Sequence, residues 1–311
     1  AGAQPGEPLG GVPLPREWQD RFWGSAQAQA LLKLSPQELA DLVPKQSGFK
    51  YCSCPACGAN ERTDPLAWSI ENPKVVTCRN CNGSFPDAKF PAPNPATGKP
   101  FLEKVEVFPG VPHDYPYHLV ETEKAAHPDE RLYLQAKCDY EARSFLAKAA
   151  LYAAVRWSEQ APGERDPALA RIACTLLLRF AQVYPAYAMH TDQPGLTKQL
   201  LPARVPPPYR PGYLTGKWEW NGSLETPLGL IVAYGLLRDE DERWKEAGEL
   251  LHCDSPRRTI EEDLLLASAE LASRQPDDFS EESLLVYRGM LSVGRLLGNE
   301  TLVQEAVARM E

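Results

Sequence analysis

Five of the eight cysteines in this 311-residue chain fall between positions 52 and 81, and four of them form two Cys-x-x-Cys pairs. The pairs are Cys54-Pro-Ala-Cys57-Gly and Cys78-Arg-Asn-Cys81-Asn-Gly, with 20 residues between Cys57 and Cys78. No other feature constrains the fold as tightly. Each Cys-x-x-Cys turn sets two thiolates on one side of a knuckle, and a glycine soon after lets the backbone curl around sulfur. Two knuckles joined by a hairpin complete a tetrahedron. The spacer holds Trp68-Ser69-Ile70 and Val75-Val76-Thr77, read as the two strands of that hairpin. The spacing suits a zinc ribbon with Cys54, Cys57, Cys78 and Cys81 as ligands and zinc in a structural role. Two other readings stay open: disulfides in an exported protein, and a redox or catalytic metal centre, against which a closed four-thiolate set argues by leaving no open position. Cys52 is a spare neighbour able to replace Cys54, with poorer spacing. Cys138, Cys174 and Cys253 lie on or near helical patterns and read as buried thiols.

Prolines divide the rest of the chain. There are 30 of them, about twice the usual share. Residues 1–15 are Pro/Gly-rich and read as an arm. Residues 86–116 exclude long helices and read as an ordered, wrapping connector. Residues 185–217 are again rich in Pro and Tyr. Between these blocks the apolar residues follow helical spacing. Trp18–Leu32 and Ser35–Leu42 read as short helices, with Ser35 as N-cap, Pro36 at the first position and Glu38 completing a capping box. Ala142, Phe145, Leu146, Ala149, Tyr152 and Ala153 mark one amphipathic face. Leu169, Ile172, Ala173, Leu176, Leu177, Phe180 and Ala181 mark another. Further patterns cover roughly 223–238, 258–274, 281–297 and 299–311, with Ile260, Leu264, Ala267 and Leu271 on one inner face. Strand-like alternation is almost absent outside the cysteine region. The segments are 1–49, arm and short helices; 50–90, ribbon; 91–127, connector; and 128–311, helical portion. The expected fold is mainly α, with antiparallel helical hairpins in a bundle or toroid and a small β-containing element near the N-terminus. No fixed-period repeat is visible, which argues against a helical-repeat array.

Lys+Arg 33 against Asp+Glu 42 gives a net charge of −9, which argues against a nucleic-acid partner. A local basic groove on such a body is still compatible with an anionic ligand. No apolar run is long enough for a membrane span. There is no phosphate-cradling Gly-rich loop, no Gly-x-Ser-x-Gly elbow and no His-Glu-x-x-His. The start at Ala1 and the end at Glu311 are read as marks of processing or truncation. An Ala-Gly-Ala start fits a cleaved secretory signal, hence a secreted or periplasmic location.

Several motifs recur in an ordered set. The cysteine ribbon leads into Phe85-Pro86-Asp87 and the proline-rich connector. Helices follow that end in Phe180-Ala-Gln-Val-Tyr184-Pro185-Ala-Tyr187. Then come Gly216-Lys-Trp218-Glu-Trp220-Asn221, Ala233-Tyr234-Gly235-Leu236-Leu237 and Arg288-Gly289-Met290-Leu-Ser-Val-Gly294-Arg295-Leu-Leu-Gly298-Asn299. In order and spacing, from about residue 17 onward, this resembles the N-terminal half of heparinase II/III-like polysaccharide lyases. The resemblance implies an incomplete (α/α) toroid, followed in the family by a β-sandwich region. It also implies β-elimination at a uronic acid in an acidic, glycosaminoglycan-like polysaccharide. In that reaction one group neutralises the substrate carboxylate, and a Tyr helped by His moves the C5 proton to the leaving oxygen. The family's Tyr-His segment lies downstream of the Gly-Arg-Leu-Leu-Gly helix, beyond Glu311. The Asn that usually precedes that helix is replaced here by the stretch Phe279-Ser-Glu-Glu-Ser283.

The residues themselves point to one ligand loop. Arg210, Tyr213, Lys217, Trp218, Trp220 and Asn221 combine rings that stack on sugar faces with groups that answer carboxylate or sulfate. The same aromatics also suit packing of the loop onto helix ends. Glu225, Glu282 and its neighbour Glu281 stand at helix starts, where an acid is often only a dipole partner. His190 follows a helix end. Glu225, Glu282 and His190 are the weak catalytic candidates. His113, His118, His127 and His252 form no metal-site pair. Two alternatives to a lyase remain: a glycoside hydrolase using Glu219 or Glu225 with a distant carboxylate, and a non-catalytic carbohydrate-binding or scaffold module.

Overall fold

The computed structural model describes residues 14–90, 103–108, 111–115, 126, 132–187, 227–273 and 283–310. Within these residues the chain is mainly helical, with a small antiparallel sheet. Three short helices come first: α1 (Arg16–Trp23), α2 (Ala26–Leu31) and α3 (Pro36–Asp41). The stretch read as one helix from Trp18 to Leu32 is therefore two. Gly24 closes α1, and Ser25 caps α2 by accepting the Ala28 N–H at 3.2 Å. The capping box of α3 is formed as expected. Ser35 Oγ accepts the Glu38 N–H, and the Glu38 carboxylate accepts the Ser35 N–H at 2.8 Å.

The sheet follows, with β1 (Leu66–Trp68), β2 (Val76–Cys78) and β3 (Ser84–Phe85) in that order and antiparallel throughout. Leu66 faces Cys78, Trp68 faces Val76, and Val76 faces Phe85 across the ladder. These five side chains are buried, while Ala67 and Thr77 between them are not. That alternation is the period-2 pleat of a one-sided sheet. The expected hairpin is present, shifted two residues earlier on its first strand and one later on its second. A second pair, β4 (Glu103–Phe108) with β5 (Val111–Tyr115), lies in the segment read as connector, where no strands were expected. In a two-stranded ribbon both strands are edges, so Pro112 and its missing N–H are tolerated in β5.

The helical portion begins with α4 (Leu134–Ser158) packed against α5 (Pro167–Val183). Asp166 caps α5 by accepting the Ala168 N–H at 2.9 Å, with Pro167 at the first position. Then come α6 (Leu228–Leu237), α7 (Asp241–Leu250), α8 (Pro256–Thr259), a π-helical stretch (Ile260–Leu266), α9 (Ala267–Ser273), α10 (Ser283–Leu297) and α11 (Glu300–Ala308). The helix α7 was not expected. The charged run Arg238–Arg243, which reads as a solvated face or cap, is mostly exposed and forms the turn out of α6 and the first residues of α7. Trp244 anchors that turn, buried with its indole N–H donating to the Leu237 carbonyl at 2.9 Å. Among the described residues no helix is long and apolar enough to cross a membrane.

One apolar core runs from the N-terminal helices through the sheet into the helical portion. Phe22 packs edge-on against Trp23 and Tyr152, and Phe145 on α4 lies 5.8 Å from the Trp68 ring on β1. Gln27 substitutes for a neighbouring strand at the end of β1: its amide donates to the Trp68 carbonyl at 3.0 Å and accepts the Ile70 N–H at 2.8 Å. Gly48 lets the chain cross α4 at backbone contact. A Cβ there would lie 2.2 Å from the Tyr140 nitrogen, and its φ of +79° also favours glycine. Beyond α5 a 3-10 turn (Tyr184–Ala186) buries Tyr184 and Tyr187, and Tyr187 Oη donates to the Pro44 carbonyl at 2.9 Å. Tyr187→Phe should leave that buried carbonyl unpaired. We expect a loss of about 1–2 kcal/mol, read as a lower denaturant midpoint at unchanged slope.

Candidate metal centre

The two cysteine knuckles have the same backbone design. Cys54 N–H donates to the Ala59 carbonyl at 3.0 Å, and its carbonyl accepts the Gly58 N–H at 3.0 Å. Cys78 N–H donates to the Gly83 carbonyl at 2.8 Å, and its carbonyl accepts the Asn82 N–H at 2.9 Å. In both, the residue four after the first cysteine is left-handed: Gly58 at φ +68° and Asn82 at φ +59°. Asn is among the side chains that tolerate this region. The second knuckle thus curls at Asn82, not at the glycine that follows it.

The hairpin β1–β2 brings the knuckles together. Sulfur atoms of Cys54, Cys57, Cys78 and Cys81 all lie within 4.8 Å of one another. Cys54 Sγ is 3.8 Å from Cys81 Sγ, and Cys57 Sγ is 3.9 Å from Cys78 Sγ. A tetrahedral thiolate site with metal–sulfur bonds of about 2.3 Å has edges of about 3.8 Å, so the arrangement is compatible with a metal ion. None of the eight cysteines is joined in a disulfide, so the disulfide alternative finds no pair here. Cys52 is not in the quartet: it is buried, with its thiol directed at the Ser53 carbonyl.

The four sulfurs differ in surroundings. Cys54 and Cys78 are buried, and Cys57 and Cys81 are exposed. Burial pushes the Cys54 thiol up. The Asn80 amide, donating to Cys57 Sγ at 3.4 Å, and the Ala59 backbone N–H hold the Cys57 thiol down. The Asn80 backbone N–H also reaches Cys78 Sγ at 3.4 Å. Such N–H···S contacts favour thiolate, the form that binds metal. Sequence reasoning passed over Asn80, although a polar residue between the paired cysteines is a readable signal.

A buried lysine fixes this element to the helices. Lys137 on α4 is fully enclosed and has three acceptors for its three protons: the Lys50 carbonyl at 2.9 Å, Asp64 Oδ1 at 2.6 Å and Glu141 Oε1 at 2.5 Å. Burial alone would lower its pKa, but Glu141 and Asp64 together hold it above the ordinary lysine value. Asp64 also lies beside Arg79 of the second knuckle, whose guanidinium donates to the Asp64 carbonyl. No sequence pattern marked Lys137, because its partners lie 73 and 87 positions away in the chain as well as one turn along the helix.

Arg210, Tyr213, Lys217, Trp218, Trp220, Asn221, Glu219, Glu225, Glu281, Glu282, His118, His127 and His190 lie outside the described residues. His252 is exposed at the end of α7, and only the backbone of His113, in β5, is described. Cys138 and Cys174 are buried as expected. Cys253 is half-buried, 3.3 Å from the Thr259 hydroxyl. No protein-family model, no curated protein and no solved structure matches the chain.

Three outcomes check the centre. Purified protein should carry one equivalent of metal by elemental analysis, lost in Cys78→Ser and retained in Cys52→Ser. Metal loading near neutral pH should release protons, and the metal should be shed as pH falls, because protonated thiols do not bind it. Lys137→Met should cost about 3–5 kcal/mol, because it leaves the facing carboxylates without their cation.

Proposed function

We propose that this chain is the helical, substrate-handling portion of an exported lyase that cleaves uronic-acid-containing polysaccharide by β-elimination. In this reading the four-cysteine element holds structural zinc. Thiolate donors at tetrahedral spacing suit zinc, and four of them close its coordination shell, which leaves the ion a scaffolding role. The chemistry then belongs to side chains elsewhere, with carboxylate neutralisation and proton transfer as its two tasks.

What supports the reading is the ordered series of motifs that resembles heparinase II/III-like enzymes, three of which fall at joints between helices. The motif ending in Tyr187 closes α5 onto the segment before the ribbon. Tyr234, in the motif on α6, donates to Glu261 Oε1 at 2.6 Å and so ties α6 to the π-helical stretch. Asn299, which ends the last motif, caps α11 by accepting the Leu302 N–H at 3.1 Å. Hairpins joined at such points are the building units of an (α/α) toroid, the architecture we propose for this portion.

The test is incubation of the complete protein with a panel of glycosaminoglycans and alginate. The expected outcome is a conjugated, ultraviolet-absorbing unsaturated uronate at the new chain end. Products without a double bond would replace the lyase by a glycoside hydrolase. Binding without turnover would leave a carbohydrate-binding scaffold.

A further inference from the structure

Two stretches of the cysteine element are fastened to the first turns of α4. The first lies just before Cys54. Its Phe49 N–H donates to the Ala136 carbonyl at 2.9 Å, and its Lys50 carbonyl accepts from Lys137 Nζ at 2.9 Å. The second is the turn 61–65, between the first knuckle and β1. There Asp64 Oδ1 accepts from Lys137 Nζ at 2.6 Å.

The turn 61–65 is in contact with both knuckles. The Glu61 N–H donates to Ser53 Oγ at 3.2 Å, beside Cys54. From the second knuckle, the Arg79 N–H donates to the Pro65 carbonyl at 2.8 Å, and the Arg79 guanidinium donates to the Asp64 carbonyl. Arg79 directly follows Cys78, so its position is set by where that knuckle sits. Lys137 is thereby linked to each knuckle through hydrogen bonds, although it touches no sulfur ligand.

Without an ion, little holds the knuckles to each other. The strands that join them are three, three and two residues long. So short a sheet is marginal on its own. An ion shared by four thiolates replaces that weak joint with a fixed one. The start of α4 also depends on its neighbours, since Tyr133 supplies no side-chain cap and the first turn holds no acid.

We propose that the cysteine element is a metal-operated clasp on α4. A bound ion fixes the second knuckle, Arg79 then holds Asp64 in place, and Asp64 holds Lys137. Metal loading and order in the first turns of α4 are thus coupled. The coupling rests on the four-cysteine metal site and is independent of any glycan chemistry. It is also reciprocal, so Lys137 and Asp64 set part of the metal affinity as positioning residues.

The test compares the full chain stripped of metal with the same chain loaded with zinc. Amide hydrogen exchange is followed along α4, and zinc affinity is measured against a competing chromophoric chelator. Removing zinc should speed exchange at residues 137–143 about tenfold or more, while residues 150–158 keep their protection. Lys137→Met should weaken zinc binding about tenfold or more. Asp64→Asn decides the cause, and it serves equally where Lys137→Met fails to fold. Asn tolerates the left-handed backbone of Asp64, at φ +48°. The substitution removes a negative charge near a loaded centre that is itself anionic, so a field effect alone would tighten zinc binding. The clasp requires the opposite sign, a weakening of about fivefold or more. Tyr234→Phe breaks a buried hydrogen bond elsewhere in the helical portion and should change zinc affinity less than about twofold. The clasp is overturned if zinc removal leaves exchange at the start of α4 unchanged, or speeds it evenly along the whole helix. It is also overturned if Asp64→Asn binds zinc as tightly or more tightly, or if Tyr234→Phe weakens binding equally. A chain that takes up no zinc overturns both the metal site and the clasp, whereas uptake without coupling overturns the clasp alone.

Discussion

An ammonium group with no solvent access holds the two halves of this molecule together. Isolated in a protein interior, such a charge costs several kcal/mol. Lys137 is tolerated because every proton it carries has an acceptor, two of them carboxylates. Those acceptors come from the strand-side loop at Lys50, the turn at Asp64 and the next turn of α4 itself. The lysine thus fixes where the cysteine element sits on the helix, and Arg79 carries the same network into the second knuckle. Apolar packing of Trp68 against Phe145 completes the joint, but packing alone is non-directional. The hydrogen bonds set the orientation.

From that joint α4 extends as a rod of about 37 Å. Its inner faces are alanine-rich, which allows α5 and α6 to approach closely from different sides. Its first turns carry the cysteine element, where Lys137 and Phe145 meet Asp64 and Trp68.

What the sequence disclosed follows from the range of the interactions involved. The cysteine quartet, the Ser35–Glu38 capping box and the apolar stripes of α4 and α5 are set by spacings of a few residues, and all were readable. Helix α7 went unread because only Trp244, Ala247 and Gly248 supply its buried side. The two residues of β3 carry no pattern of their own and are strands only because β2 offers an edge. In the proline-rich connector, prolines masked the alternation at Val105 and Val107 that belongs to β4.

The donor set of the cysteine element has one more consequence, for where a polyanion can settle. A divalent ion held by four thiolates leaves a residual charge of about −2 on the knuckles. Two of those sulfurs, on Cys57 and Cys81, face solvent. The loaded element therefore presents an anionic face at one end of α4, while Lys148 stands about 16 Å further along the axis than Lys137. That distance exceeds the screening length of about 8 Å at physiological salt, so the two fields act separately. In the proposed reading, a metal-loaded cysteine end repels an acidic glycan, while the charge of Lys148 stands outside that screened field.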